Sequence, residues 1–248
     1  MPTVLLRLSG PFQAYGVHPA FEAHQDTLPR PTKSAVIGLL CNALGYDHSA
    51  DTRHLAALHF AVRADRPGHL ERDDQTAGNG RFPLDVLTAS RHPQLAADPH
   101  RFTYAAPRET DAHGAASWKP ETRKTVMGDQ TYVADAAFLA GLTGPRELTD
   151  TLHQALARPA RLLYLGRRCC PPAHPIAHGT TDHAADWPDH VPLLPEATIA
   201  EPVCWQQTTD PTAPALPEYP PTSYQLRDHR TLAMSSRPTT PPPGTETP

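Results

Sequence analysis

The stretch that decides the fold is TKSAVIGLLCNALG, residues 32–45. Four apolar residues recur there at the spacing that places them on one face of a helix: Val36, Ile37, Leu40 and Leu44. Thr32 directly follows a proline and suits the N-cap of a helix, and Gly45 suits the left-handed position that ends many helices. The pattern therefore predicts a helix over 32–45 with one buried face.

Short apolar or alternating runs lie on both sides of this helix and predict strands at 3–9, 58–64, 130–140 and 161–165. The first strand is expected to end at Gly10-Pro11, and a second helix is expected between Pro145 and Pro159. The order strand, helix, strand, insertion, strand, helix, strand matches the ferredoxin-like order of an α+β fold. Because fold does not determine function, this order alone predicts no activity.

Residues 65–125 form a polar insertion without sustained periodicity, and an insertion of this length inside a domain is usually functional. Two strand-like pieces, Asp85–Thr88 and Arg101–Tyr104, are compatible with a protruding hairpin, while the alternative is a structureless loop. More than half of the 30 prolines lie in 171–248, so long helices or central strands are not expected there. We expect one domain over 1–236 and a disordered Pro-rich tail over 237–248.

The composition limits the cellular and chemical classes of the protein. The formal net charge is −4, whereas a free-standing nucleic-acid-binding protein is usually basic. A local basic cleft remains compatible with that value if the other faces meet protein partners. No CxxC pair, signal peptide or long apolar span is present, which predicts a cytoplasmic chain with reduced thiols and no membrane contact.

Motifs of known enzyme classes are absent from the sequence. The histidine groups His48/His54/His59 and His174/His178/His183, and His229, contain no HExxH arrangement, and we expect no metal. GxSxG, GxxxxGK[ST] and a strand-linked GxGxxG are also absent, so we expect no catalytic residue and no cofactor. Metal-free RNA cleavage by Tyr, Lys and His side chains stays open as the enzymatic alternative.

Basic residues gather at three places and are the candidate binding groups. Arg167-Arg168 follow a predicted strand through Gly166, where a glycine lets backbone amides approach phosphate oxygens. Arg30 and Lys33 flank the start of the first helix, whose exposed amides and dipole attract phosphate. The insertion and its surroundings carry the third set: Arg101, Arg108, Lys119, Arg123 and Lys124. The alternative is a surface of scattered, solvated charges.

Arg7 is the one charged residue in the first predicted strand. It either has a local acidic partner or faces a polyanion.

Several motifs resemble one known family, the CasD subunits of type I-E Cascade, the CRISPR surveillance complex. Residues 6–16, LRLSGPFQAYG, are similar to the LRLxGPxQAWG opening of that family, with Tyr15 in place of the usual tryptophan. Residues 31–45 resemble its PTRSGLLGLLxxxLG helix, and residues 60–63, FAVR, its second strand. Residues 164–175, YLGRRCCPPAHP, resemble its YLGRRSCPxxHP signature.

This resemblance implies a ferredoxin-like (RRM-like) palm with an inserted β-hairpin thumb, here within about 65–125. The Pro-rich C-terminal extension, which the composition indicates, matches the family only loosely. The resemblance also implies a non-catalytic subunit that grips the 5′ handle of the CRISPR RNA (crRNA) and caps the CasC filament. The other implied partners are the large subunit CasA and, through the assembled complex, target DNA. The residues implied or predicted to bind RNA are Arg7, Gln13, Tyr15, Gly16, Arg30, Lys33, Ser34, Arg101, Arg108, Lys119, Arg123, Lys124, Gly166, Arg167 and Arg168. Bases are expected to stack on Tyr15 or on rings of the insertion such as Tyr104 and Trp118.

Relatives in another subtype cut the repeat RNA, so a metal-independent endoribonuclease using Tyr46 is the alternative function. A protein-only scaffold is the third hypothesis.

Overall fold

The first helix, α1, covers Lys33–Leu44 and has the ends that the sequence predicts. The Thr32 hydroxyl accepts a hydrogen bond from the amide of Ala35 at 3.2 Å, which satisfies one of the amides that a helix start leaves without a partner. Gly45 has φ +74°, the left-handed conformation that glycine adopts without steric cost. The predictions for this helix and both of its caps are therefore confirmed.

The computed structural model describes residues 1–16, 24–47, 49–77, 107–110, 116–118, 126–216 and 232–242. They fall into two compact units. The first unit comprises Met1–Ala20, Gln25–Arg72 and Thr131–Pro248, and the second comprises Phe21–His24 and Asp73–Gln130. The two predicted strand pieces at Asp85–Thr88 and Arg101–Tyr104 lie outside the described residues.

The chain is a mixed α/β protein built on an antiparallel sheet. Its strands are β1 (Thr3–Gln13), β2 (His24–Gln25), β3 (His59–Arg66), β4 (His69–Ala77), β5 (Pro107–Thr110), β6 (Ala116–Trp118), β7 (Val126–Thr143), β8 (Ala177–Thr181), β9 (Val203–Gln207), β10 (Ala215–Leu216) and β11 (Leu232–Pro238). The other helices of the described residues are α2 (Arg53–Ala56), α3 (Arg146–Ala157) and α4 (Trp187–His190). The main sheet has the order β10-β11-β9-β3-β7-β1-β8, and β4 also pairs with β7.

Strand β1 continues past the point where the sequence predicted its end. It pairs with β7 from Thr3, opposite Thr143, as far as Gln13, opposite Val133. Pairing of β1 with β8 stops at Leu6, so beyond that residue one side of β1 has no strand beside it. Proline is tolerated at such an edge because no ladder hydrogen bond is lost, and this explains why Gly10-Pro11 does not end the strand.

Two predictions for the second half of the chain are wrong. Residues 161–165 are irregular, and the strand that follows α3 is β8, because the 164–170 backbone closes on itself in a turn described below. Strand β9 lies inside the sheet, between β3 and β11, although it belongs to the Pro-rich part. Its five residues contain no proline, so each can take part in the ladder.

The segment expected to be disordered from residue 237 is ordered as far as 242. Arg237 and Pro238 belong to β11, and Arg237 forms an ion pair with Asp189. Thr239 is buried, and its amide and its hydroxyl both donate to the carbonyl of Pro202 at 2.9 Å. These partners lie far away in the sequence, so composition alone could not reveal them.

Both faces of the main sheet are covered. One face packs against α1, α2 and α3 in a core that includes Leu6, Ile37 and Phe138. The other face packs against residues 187–194, where the Trp187 indole lies against Gly141. A side chain at position 141 would clash with that indole at 2.5 Å, so the strand needs glycine there.

In the second unit, β5 and β6 form an antiparallel pair. Among the described residues, no helix has the length and apolar character needed to cross a membrane.

Candidate nucleic-acid interface

The Gly166 turn, residues 164–170, closes over the end of β1. The amide of Ala14 donates to the carbonyl of Leu165 at 3.0 Å, and the amide of Leu165 donates to the carbonyl of Cys170 at 2.8 Å. Gly166 has φ +89°, and a Cβ on it would lie 1.6 Å from the carbonyl oxygen of Ala14. The glycine is required because two backbones meet here, which differs from the phosphate-approach role that the sequence suggested. Its own amide donates to the Tyr164 carbonyl at 3.1 Å.

The two arginines of this turn are held differently. The Arg167 guanidinium lies over the Tyr132 ring, 4.7 Å from its centroid, and donates to the carbonyl of Thr131 at 3.2 Å. Arg168 is exposed and forms no ion pair within the part of the chain that the structure describes. The turn therefore presents two cations on one short loop: Arg167, which its contacts orient, and Arg168, which is exposed to solvent.

An exposed aromatic ring lies beside these cations. Phe12 is 43% exposed, and its ring centroid is 5.6 Å from that of Tyr132, with the two planes tilted by 59°. Tyr132 itself is buried between Phe12 and Arg167, and burial, followed by its contact with Cys169, raises the pKa of its hydroxyl. Sequence reasoning missed both rings. The available signal for Phe12 was a large apolar residue between Gly10-Pro11 and the polar Gln13, where a strand end meets solvent.

Gln13 and Tyr15 are buried and serve the core. The Gln13 amide nitrogen donates to the carbonyl of Ala136 at 2.8 Å, and its oxygen accepts from the Tyr15 hydroxyl. The Tyr15 ring meets the edge of Phe138, and burial, with a smaller contribution from Cys170, raises its pKa well above the usual value. A ring that is only 2% exposed has no free face, so the predicted base stacking by Tyr15 is wrong for this structure.

Arg7 has the local acidic partner that was one of its two interpretations. Its guanidinium donates to Glu196 Oε1, from Nε at 3.0 Å, and the Ser9 hydroxyl donates to the same oxygen at 2.9 Å. Burial alone raises the pKa of Glu196, but the hydrogen bonds from Arg7 and Ser9 outweigh it and leave the pKa below the usual value. Because a nearby carboxylate neutralises Arg7, this residue is a poor phosphate ligand.

The cations at the start of α1 point inward. The Lys33 ammonium donates to the carbonyl of Ala56 at 2.6 Å and to the Gln207 side chain at 3.0 Å. Arg30 is 3% exposed and lies over the Trp205 ring. These contacts contradict the expected phosphate site at this helix start, because neither cation reaches solvent. Ser34 is half-buried, and its hydroxyl lies 3.2 Å from that of Thr32.

The remaining predicted residues lie near or beyond the ends of the described segments. Gly16 is exposed at the end of the described N-terminal segment. For Arg108 the structure gives only the backbone, within β5. Arg101, Lys119, Arg123 and Lys124 lie outside the described residues, so their role stays a prediction.

Tyr46, which the enzymatic alternative invokes, lies in an exposed pair with a histidine. Its hydroxyl is 3.3 Å from Nε2 of His54, and the Arg161 guanidinium donates to its carbonyl at 2.7 Å. Tyrosine and histidine side chains are among those that can act as the general base and general acid of metal-free RNA cleavage.

Comparison with known proteins identifies the family. The family described as CRISPR-associated protein (Cas_Cas5) matches residues 3–239. The chain belongs to the Cas5 family. Among curated proteins, the "CRISPR system Cascade subunit CasD" of Escherichia coli (strain K12) is 35% identical over 184 residues, which cover 71% of this Cas5 chain and 70% of that protein. The resemblance that the sequence motifs indicated is confirmed.

Solved structures agree with this Cas5 assignment. A chain of a "CRISPR RNA-guided surveillance complex" matches with a TM-score of 0.68 and 29% identity, covering 98% of this chain and 95% of that chain. A "Cas protein" crystal structure matches with a TM-score of 0.66 and 27% identity, covering 96% and 95% of the two chains. The fold of this Cas5 chain therefore has solved counterparts along nearly its whole length.

Proposed function

We propose that this Cas5 chain is a non-catalytic, RNA-binding subunit of a type I-E CRISPR Cascade complex. It holds the 5′ handle of the crRNA, caps the CasC filament, contacts CasA and meets target DNA through the assembled complex. The similarity to a protein named as a Cascade subunit, and to a chain of an RNA-guided surveillance complex, supports assembly of this kind.

The observation that carries the RNA-binding proposal is the exposed Phe12 ring beside the Gly166 turn. A single-stranded nucleic acid is held by phosphate contacts with arginine and by stacking of bases on aromatic rings. Arg168 supplies an exposed cation, Arg167 an oriented one, and Phe12 a partly exposed ring that contacts Tyr132, the ring under Arg167. The stacking role predicted for Tyr15 is thus transferred to Phe12.

The finer description of the fold belongs to this proposal. The strand order β3-β7-β1-β8 supports a ferredoxin-like (RRM-like) palm, in which the second, third, first and fourth strands of the palm lie side by side. We assign the thumb to the insertion over about 65–125, and the antiparallel pair of β5 and β6 supports a hairpin there. Arg101, Arg108, Lys119, Arg123 and Lys124 would then add thumb contacts to the handle.

The test is crRNA retention in the assembled complex. We expect Arg167→Ala with Arg168→Ala, and separately Phe12→Ala, to lower the bound crRNA about tenfold at raised salt, because phosphate and stacking contacts are lost. Arg158→Ala is the matched control, since Arg158 is exposed at the end of α3. The readout is crRNA per complex after co-purification, quantified by sequencing and gel. Unchanged crRNA in both variants would remove the proposed interface.

The exposed Tyr46–His54 pair favours one second candidate, a metal-independent endoribonuclease. In such a reaction a base takes the proton of a 2′-hydroxyl, the 2′-oxygen attacks phosphorus, and the 5′-oxygen leaves with a proton from an acid. Incubating the purified chain with labelled repeat RNA in EDTA separates the two functions. Discrete cleavage that Tyr46→Phe abolishes would favour the enzyme, whereas intact RNA favours the binding subunit.

A further inference from the structure

Three potential metal ligands converge between β8 and the end of α4. His183, Asp186 and His190 each offer one ligand atom, a ring nitrogen or a carboxylate oxygen, and these atoms all lie within 4.8 Å of one another. All three side chains are exposed, so an ion can reach them from solvent. We propose that these residues form a site for a divalent transition-metal ion such as Zn²⁺.

The two imidazoles lie face to face in a stack. Their ring centroids are 4.2 Å apart with an interplanar angle of 13°. Nδ1 of His190 lies 2.9 Å from the carbonyl oxygen of Asp186 and 3.6 Å from its carboxylate. Bonds from zinc to nitrogen and oxygen are about 2.0–2.2 Å, and a metal lies in the plane of each imidazole that binds it, so the rings must turn out of their stack before the three side chains can share one ion. Both rings are exposed, which leaves them room to turn.

The backbone that carries these ligands is held in place by the sheet. The buried Thr3 hydroxyl lies 3.0 Å from the carbonyl of His183 and 3.2 Å from that of Ala184. The Gln206 amide donates to the carbonyl of Ala185 at 3.0 Å, and Trp187 is fully buried at the start of α4. A ligand set on an anchored backbone loses little conformational freedom when it binds an ion, so its affinity exceeds that of a loose surface pair.

The donor set selects the class of metal. Two imidazoles and one carboxylate suit zinc, copper, nickel or cobalt, whereas magnesium and calcium prefer oxygen ligands throughout. The neighbouring carboxylates are engaged elsewhere, because Asp182 pairs with Arg146 and Asp189 pairs with Arg237. Three protein ligands leave the fourth position of a tetrahedral ion for water or for an incoming group.

The sequence predicted no metal site because its groups of histidines contain no HExxH arrangement. The relevant spacing is H-x₂-D-x₃-H, and it becomes a site only because a turn and the short α4 fold the three side chains onto one surface. An ion here would clamp 183–190, the segment whose Trp187 packs on the sheet. Metal should therefore raise the unfolding temperature.

The experiment uses the full chain without an affinity tag. We expect titration with Co²⁺ to give one equivalent of d–d absorption without a thiolate charge-transfer band, and Zn²⁺ to displace it. His183→Ala and Asp186→Asn should each weaken binding at least about tenfold and abolish the metal-induced rise in unfolding temperature. Asp186→Asn conserves shape, and the Asp186 side chain makes no capping hydrogen bond, so the fold is not at risk.

The matched control is His69→Ala, since His69 is also an exposed histidine beside a carboxylate, 3.4 Å from Glu71, but belongs to no group of three potential ligands in the described part of the chain. It should bind metal like the unaltered chain. A thiolate band would place the ion at the cysteines, and equal loss in the control would mean an adventitious ion only. Retention of full affinity in both site variants would likewise overturn the proposal.

Discussion

Among the glycines that the structure describes, Gly166 is the one at which the backbone leaves least room for a side chain. A Cβ there would lie 1.6 Å from the carbonyl oxygen of Ala14, and φ is +89°. We expect Gly166→Ala to lower the free energy of unfolding by more than about 3 kcal/mol, because both the clash and the left-handed backbone must be relieved. Chemical denaturation of the purified chain measures this loss.

The matched control for Gly166→Ala is the same substitution at Gly38. It lies inside α1, and a Cβ on it would meet nothing within 4 Å. Gly38→Ala should therefore raise the free energy of unfolding by about 0.5–1 kcal/mol, because alanine has the higher helix propensity. A Gly166→Ala chain as stable as the unaltered one would show that the turn can move away from Ala14.

The residue scale also shows what the sequence could predict about the site. The Gly-Arg-Arg motif singled out the loop that the proposed interface uses, because a glycine at a predicted strand end lets backbone amides approach phosphate. The reason for the glycine could not be inferred, since its constraint is the carbonyl of Ala14, far away in the chain. The same limit applies to Lys33, which looked like a surface cation until its contact with Gln207 was visible.

At the scale of elements, local signals were sufficient where the stabilising contacts are local. Helix α1 was predicted with both caps because Thr32 and Gly45 act on neighbouring amides and carbonyls. Residues 161–165 were predicted as a strand on apolar content, but the hydrogen bonds of Leu165 go to Cys170 and Ala14, within and beside the Gly166 turn. The apolar content of a segment does not tell which carbonyl its backbone amides will bond to. That choice of hydrogen-bond partner determines whether the segment becomes a strand or a turn.

The contact of β1 with the 194–197 segment gives a prediction about pH. Hydrogen bonds from Arg7 and Ser9 hold the pKa of Glu196 below its usual value of 4.5 despite its burial. A carboxyl with a lowered folded-state pKa stabilises the fold above the unfolded pKa, and this contribution disappears as pH falls through the folded value. Glu196→Gln should therefore cost about 1–2 kcal/mol at pH 7 and progressively less below about pH 4.5.

Denaturation at a series of pH values from 7 to 3 measures this difference. Glu201→Gln is the control, because Glu201 is exposed and forms no ion pair among the described residues. Its stability curve should run parallel to that of the unaltered chain at every pH. A constant difference between Glu196→Gln and the unaltered chain across this range would exclude the ion pair as the source of the effect.

At the scale of the whole molecule, one buried cation joins the sheet to the Pro-rich segment. Arg63 is fully buried in β3 and forms an ion pair with Asp65, with Nε 2.6 Å from Oδ1. A second N–H, on Nη2, donates to Oδ2 of Asp65 at 3.0 Å, and the other three donate to the carbonyls of Pro188, Val191 and Pro192 at 2.7–2.8 Å, so all five N–H groups have acceptors. Prolines cannot donate hydrogen bonds, but their carbonyls accept them, and this is how a Pro-rich segment becomes part of the fold.

Removing this cation should destabilise the whole chain. We expect Arg63→Met to lower the free energy of unfolding by about 3–5 kcal/mol, because Asp65 is left as a buried charge with only the Leu194 amide, at 2.8 Å, as a donor. Arg53→Met, which removes the exposed partner of Asp51, should change stability little, since water replaces that contact. If the two variants unfolded at the same denaturant concentration, residues 187–194 would have to be held by Trp187 and its apolar neighbours alone, and the sheet would not depend on Arg63.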